Sequence, residues 1–235
     1  MRRPPHRPTA VVYIDGFNLF RRALQGHDER KWLDLEALCM RLLPGYDVGQ
    51  IRYFTARVRH VEGNDPRAPQ NQERYLRALG TLPSVSLHFG TFRADKRWMA
   101  MSPIELDDSG RPRRVRVRKI EEKGTDVSLA AHMVSDAMRG VADAYFLLSN
   151  DSDFVEALRI VRERAGAEIG LIVPGGKAAR GLLDVGIDEM RVVRPHVLLE
   201  SQFPDRIVDE SGAFRRPPSW RSAEAPLRRE GPRAG

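Results

Sequence analysis

A single cysteine, Cys39, stands in the 235 residues, so no intrachain disulfide framework is available and a zinc-type pairing of cysteines with histidines is missing. A chain without covalent staples suits a reducing compartment, and a cytoplasmic location is the expectation. Long apolar runs are lacking too. The run nearest the N-terminus, Val11 to Ile14, breaks at Asp15 and is far too short for a signal sequence or a bilayer span. Several glycine signatures are likewise absent. No Gly-x-Gly-x-x-Gly follows the first expected strand, and there is no Gly-x-Ser-x-Gly elbow. Gly170 to Ala178 approximates a P-loop, but its spacing is one residue too long, and Ala178 stands where a Ser or Thr would hold magnesium.

With 41% hydrophobic residues the chain can bury a substantial core, as one domain flanked by tails. The formal charge of +7 is unevenly distributed. Arg2, Arg3 and Arg7 give the first nine residues +3, and six arginines against Glu224 and Glu230 give residues 211–235 +4, which leaves the middle neutral. The expected organisation is a disordered basic tail over 1–9, a domain over 10–200 with an inserted basic β-ribbon at 93–122, and a Pro/Arg-rich disordered tail over 201–235. Such tails can hold RNA non-specifically but do not define an active site.

Along the chain, Thr9 to Ile14 reads as a strand buried on both faces. It ends in Asp15-Gly16-Phe17-Asn18, with Leu19, Phe20 and Leu24 following at helical spacing. A helix over 34–43, a strand over 51–56, a helix over 70–79 and a strand over 85–92 come next. After the ribbon, Lys123-Gly124-Thr125-Asp126 opens an amphipathic helix to about Arg139, with Val127, Ala130, Val134, Ala137 and Met138 as its expected apolar stripe. A strand over 144–148, a helix over 153–164, a strand over 168–173, a short helix over 178–183 and a strand over 190–193 complete the pattern. Alternation of this kind indicates an α/β fold with a parallel, doubly wound sheet.

The chemistry gathers at strand ends. Asp15 closes the first strand, Asp126 opens a helix, and Asp151 with Asp153 follows the strand Ala144 to Leu148. If the first and fourth strands are neighbours, the strand order reverses between them, and Asp15 and Asp151 share the crevice where such sheets bind ligands. Carboxylates crowded in a cleft need a cation or shifted pKa values to offset their repulsion. Hard oxygen donors of this kind suit Mg2+ or Mn2+. The competing reading is that Asn150 or Asp151 caps a helix and Asp153 complements its dipole. The Asp151-x-Asp153 pair is similar to the nucleophilic pair of certain phosphatases, but those carry it after their first strand.

Three segments, Tyr13-Ile14-Asp15-Gly16-Phe17-Asn18-Leu19, Glu122-Lys123-Gly124-Thr125-Asp126-Val127 and Leu148-Ser149-Asn150-Asp151-Ser152-Asp153-Phe154, resemble in order and spacing the signatures of the NYN domain, the LabA-like group within the PIN-like nuclease superfamily. The resemblance runs from about Ala10 to Val193. It implies a Rossmann-like PIN-type fold, with a parallel sheet of order 3-2-1-4-5 and helices on both faces, and metal-dependent cleavage of RNA. It also implies metal ligation by Asp15, Asp126, Asp151 and Asp153, the last equally suited to helix capping, with Asn18 and Ser149 in support. Where many relatives carry an acid on the helix after Asp126, this chain has His132, for which a surface position is expected.

The leading expectation is a ribonuclease that uses Mg2+ or Mn2+ to activate water against a phosphodiester. Lys123 is a candidate contact to the scissile phosphate. Arg57, Arg59, Arg113, Arg114, Arg116 and Arg118 are candidates for holding the RNA, single-stranded or structured. Trp98 and Phe92 are candidates for base stacking, with core packing as the competing role. Two other classes stay open: a non-catalytic RNA- or protein-binding regulator that relies on its tails, and a phosphatase-type enzyme using the same acids. A homo-oligomer also stays open.

Overall fold

The computed structural model describes residues 7–58 and 65–221, and their side chains except those of 93–94 and 118–122. In chain order the strands are β1 (Thr9–Asp15), β2 (Asp47–Ala56), β3 (Val85–Ala100), β4 (Arg114–Lys123), β5 (Ala144–Leu148), β6 (Glu168–Val173), β7 (Glu189–Val192), β8 (Arg206–Asp209) and β9 (Gly212–Arg215). The first seven form one sheet in the order β4-β3-β2-β1-β5-β6-β7. All neighbours are parallel except β3 and β4. Counted by the parallel strands alone, the order is the expected 3-2-1-4-5 with one more strand, β7, at the far edge. The antiparallel β4 extends the opposite edge, because a hairpin needs no crossover. The order reverses at β1, whose two neighbours, β2 and β5, lie on opposite sides. Ile14 pairs with Tyr53 and with Leu148, so Asp15 emerges beside Ser149.

A central strand with both faces covered must be apolar throughout, and β1 is buried from Ala10 to Asp15. Its even-numbered residues enter a core with α2 (Leu35–Leu42) and α3 (Ala68–Leu79), while Val11 and Tyr13 enter a second core with α4 (Thr125–Met138) and α5 (Val155–Ile160). A short α1 (Gly16–Leu19) runs from β1 into a π-helical turn, Phe20–Leu24. Asp34 caps α2 by accepting from the Ala37 amide at 2.9 Å. The short α6 (Arg180–Leu183) and α7 (Pro195–Glu200) follow β6 and β7, the latter beyond the last expected element.

The apolar stripe of α4 differs from the expected one. Leu129, Met133 and Ala137 are buried, whereas Val127 is 76% exposed and Met138 57% exposed. The helix is rotated because Asp136 faces inward, and its Oδ2 accepts from the buried Tyr13 hydroxyl at 2.7 Å and lies 2.9 Å from Arg52 Nε. A buried tyrosine hydroxyl and a largely covered guanidinium as partners outweigh the burial of two apolar side chains near the helix ends.

β3 runs on past its pairing with β2 and forms a ribbon with β4, from Thr91 opposite Lys123 to Ala100 opposite Arg114. Asp107 Oδ1 accepts from the Ser109 and Arg111 amides at 2.9 and 3.0 Å and shapes the turn region.

The expectation of a disordered tail from residue 201 is overturned for residues 201–221. β8 and β9 form a hairpin, and Phe203, Ile207 and Phe214 are buried in the first core. Trp32, fully buried, donates from Nε1 to the Pro204 carbonyl at 3.0 Å, and Asp34 N donates to the Ser201 carbonyl at 2.8 Å. Arg77 clamps Asp209 with two hydrogen bonds of 2.7 and 2.6 Å. A few aromatic side chains anchor this stretch where its Pro and Arg content pointed to disorder. At the other end, Thr9, assigned to the basic tail, already opens β1. Among the described residues no helix is long and apolar enough to cross a membrane.

Candidate active site

The turn from β1 into α1 admits no side chain at residue 16. A Cβ there would come within 2.7 Å of the Phe54 carbonyl and of the Tyr53 ring. This close passage turns Asp15 inward, with 6% of its surface exposed. Its Oδ1 caps α1, accepting from Asn18 N at 2.9 Å, and its Oδ2 accepts from the Ser149 hydroxyl at 2.9 Å. Burial pushes the Asp15 carboxyl above the ordinary carboxylate range. The bonds from Asn18 and Ser149 oppose the shift, and the neighbouring charge of Asp151 adds to it.

Across the switch point the end of β5 is tied to the end of β1. Ser149 is fully buried, and its Oγ also accepts from Asp151 N at 3.2 Å. Asn150 N donates to Asn18 Oδ1 at 3.1 Å. The Asn150 amide then spans to the loop after β6, donating to the Lys177 carbonyl at 2.9 Å and accepting from Ala179 N at 2.7 Å. Asp151 caps the 3-10 turn Ser152–Phe154 through Oδ1, which accepts from Asp153 N at 3.1 Å. Its other oxygen carries no hydrogen bond among the described residues. The half-buried Asp151 thus caps a helical turn and faces Asp15 as well.

The structure therefore brings together Asp15, Asn18, Ser149 and Asp151. Asp153 is exposed, and so are Lys123 at the end of β4 and Asp126 in the first turn of α4. Among the described residues, no group of three or more acidic, histidine or cysteine side chains is arranged to hold one ion. Of the four expected acids, Asp15 and Asp151 lie together at the ends of β1 and β5, and Asp126 and Asp153 are exposed.

The candidate arginines are dispersed. Arg57 follows β2 at the same sheet edge, but it pairs with Glu73 and its guanidinium sits 4.8 Å above the Phe89 ring. It lines an open groove of about 970 Å3 with Arg74, Arg77, Arg206 and Arg215. Arg113 lies 3.6 Å from Glu105, Arg114 donates to the Trp98 carbonyl at 2.9 Å, and Arg116 is exposed, all on the ribbon. Arg59 and the side chain of Arg118 lie outside the described residues. Trp98 is exposed on the ribbon, whereas Phe92 packs edge-on against Phe17 at 5.8 Å.

Three features of this edge escaped the sequence reading. His132 is half-buried, and its ring lies 4.6 Å from that of His88, which stacks on Phe54 at 4.6 Å. Burial, with the His132 and Arg52 charges, lowers the His88 pKa. Asn150 ties the end of β5 to α1 and to the loop after β6, and a cavity of about 440 Å3 opens beside Gly16 and Phe17. Nothing local in the sequence signals a histidine pair whose members are 44 residues apart and meet only across α4 and β3.

Comparison with known proteins bears on this geometry. The family model described as the NYN domain matches residues 9–186. A Pseudomonas putida protein named 6-hydroxy-3-succinoylpyridine 3-monooxygenase HspA is 30% identical, over 89% of this chain and 74% of its own length. The crystal structure of a Vibrio parahaemolyticus protein of unknown function superposes with a TM-score of 0.50 at 15% identity. The match covers 82% of this chain and 97% of that one, and it bears on the fold alone.

Proposed function

We propose that this chain, which belongs to the NYN domain family, is a divalent-metal-dependent ribonuclease that hydrolyses phosphodiester bonds at Asp15 and Asp151. The NYN domain is a nuclease-type family. The observation that carries the reading is the buried Asp15 carboxylate, held in place by Asn18 and Ser149 and raised in pKa beside a second acid. A structure keeps two such acids together at a ligand-binding sheet edge at a cost in stability, which points to a use for them.

The donors fit a magnesium or manganese ion. Such ions keep several waters and need only one or two carboxylates, and a dication would relieve the repulsion at Asp15. Asp15 and Asp151 would hold it, with the more exposed Asp126 and Asp153 left to contribute directly or through a water. When bound, a divalent ion supplies Lewis-acid polarisation of a phosphoryl oxygen and a more acidic water. The chain's own residues do the positioning. Ser149 fixes the Asp15 carboxylate, Asn18 locks the β5 end against β1, and Asn150 holds the loop at Lys177 to Ala179 against the site. Lys123 and the exposed arginines of the ribbon would bind the polyanion as a diffuse, salt-sensitive surface.

The test is cleavage of single-stranded and hairpin RNA by the purified chain with added manganese or magnesium. Activity should vanish with EDTA, and Asp15→Asn and Asp151→Asn should each lower it by on the order of a hundredfold or more while the circular dichroism spectrum is kept. Full activity in both variants would rule the site out. A second reading, action on a small hydroxypyridine, is favoured by the relative with that named activity at 30% identity. Consumption of 6-hydroxy-3-succinoylpyridine with oxygen and an electron donor, measured beside the RNA assay, separates the two.

A further inference from the structure

The sheet edge that carries Asp15 has a second compartment on its other face. Val11 and Tyr13 face the α4 side of the sheet, and by alternation along β1 so does Asp15, whereas the residues after it, Gly16 and Phe17, line a cavity of about 440 Å3 on the α3 side. Aromatic rings form much of its wall, Phe17, Phe20, Tyr53, Tyr75 and Trp220, beside polar residues that include Lys31, Asp65 and Gln72. Tyr75 packs edge-on against both Tyr53 and Trp220, with ring centroids 6.5 and 6.2 Å apart, so these walls are held by their neighbours. Tyr53 and Tyr75 belong to the first core and form the floor, whereas Phe17 and Trp220 are half-buried at the opening and Phe20 stays 40% exposed at the rim.

The cavity also has a polar reader. Asn71 is buried on α3 and lines the space, yet its amide makes only a long 3.4 Å bond, from Nδ2 to Ser219 Oγ. Its oxygen has no partner among the described residues. That oxygen opens on the cavity, where a ligand with a complementary donor on its edge can take the place of water. Flat faces, a polar edge and a volume in the small-ligand range describe a planar nitrogen heterocycle.

We infer that this cavity takes one nucleobase of the RNA strand, stacked among the aromatic walls with its edge on Asn71, while the adjoining phosphate lies at Asp15. Gly16, which lines the cavity, follows Asp15 directly in the chain, and Phe17 is two residues from Asp15, about 7 Å along the chain. A single nucleotide can therefore touch both. The bound base must be unstacked from its neighbours, so the substrate would be a single strand, a loop or a bulge. This assignment rests on the ribonuclease reading for its choice of a base over a free heterocycle.

Titration calorimetry on the full chain, with magnesium at one fixed concentration in every titration, tests it with the four nucleoside 5′-monophosphates, ribose 5-phosphate and 3-hydroxypyridine. At least one nucleotide should bind, with ribose 5-phosphate at least tenfold weaker. Phe20→Ala at the exposed rim and Asn71→Ala should each weaken the nucleotide by roughly tenfold, with melting temperatures reported for both variants. Ribose 5-phosphate binding as tightly as the nucleotides, hydroxypyridine binding while every nucleotide fails, or unchanged affinity in both folded variants would overturn the assignment. Nucleotide binding in a chain that cleaves no RNA would sustain the pocket and sink the nuclease reading. RNA cleavage with no nucleotide binding would do the reverse.

Discussion

Asp15 works against the fold that holds it. Its pKa is raised in the folded chain above its unfolded value, so the folded state binds this proton more tightly. The ionised side chain then costs stability that is absent at acid pH, and the cost grows as pH rises through the folded pKa. Asp15→Asn keeps a helix-capping oxygen and removes the charge. In EDTA the variant should melt with wild type at acid pH and above it at neutral pH. Identical melting temperatures at pH 7 would show that no such cost exists. Wild type alone should gain stability from manganese at neutral pH, by mass action on the folded state. Asp15 and Asp151 could be read in the sequence because an apolar run that stops at an acid marks a strand end. Tyr53 could not, since its place under Gly16 depends on the register between β1 and β2.

Among the elements, α4 shows how far periodicity reaches. Its length and its start after Gly124, at φ 96°, follow from the sequence. Its orientation does not. Val127 looks like a core residue by spacing and is exposed, because the inward direction is set by Asp136, Tyr13 and Arg52 from three elements. Val127→Lys should change stability by no more than about 0.5 kcal/mol, whereas Met133→Ala in the second core should cost about 2–5 kcal/mol. Urea denaturation of both variants distinguishes this orientation from the periodic one, for which the two costs would be reversed. The ribbon was legible for the converse reason. Alternating Val115, Arg116 and Val117 specify a strand locally, and the Asp107 turn needs no distant partner.

At the scale of the whole molecule, the composition of the C-terminal stretch misled. Arginine and proline count towards disorder, but Phe203, Ile207 and Phe214 are spaced so that each reaches the core around Trp32. Removal of residues 202–235 should expose that core. Losing three buried side chains costs on the order of 5 kcal/mol, which for a chain of this size lowers the melting temperature by roughly 10 °C or more. Differential scanning calorimetry of the truncated chain decides it, and a shift under 2 °C would return the stretch to the status of a tail. The bonds from Asn18 to Asn150, and from Asn150 onward to Lys177 and Ala179, have a mechanical meaning as well. They rivet two strands and a loop at the point where a doubly wound sheet is otherwise free to part. Under the proposed nuclease role, the crevice is braced from three segments, and the expected adaptation falls to the RNA.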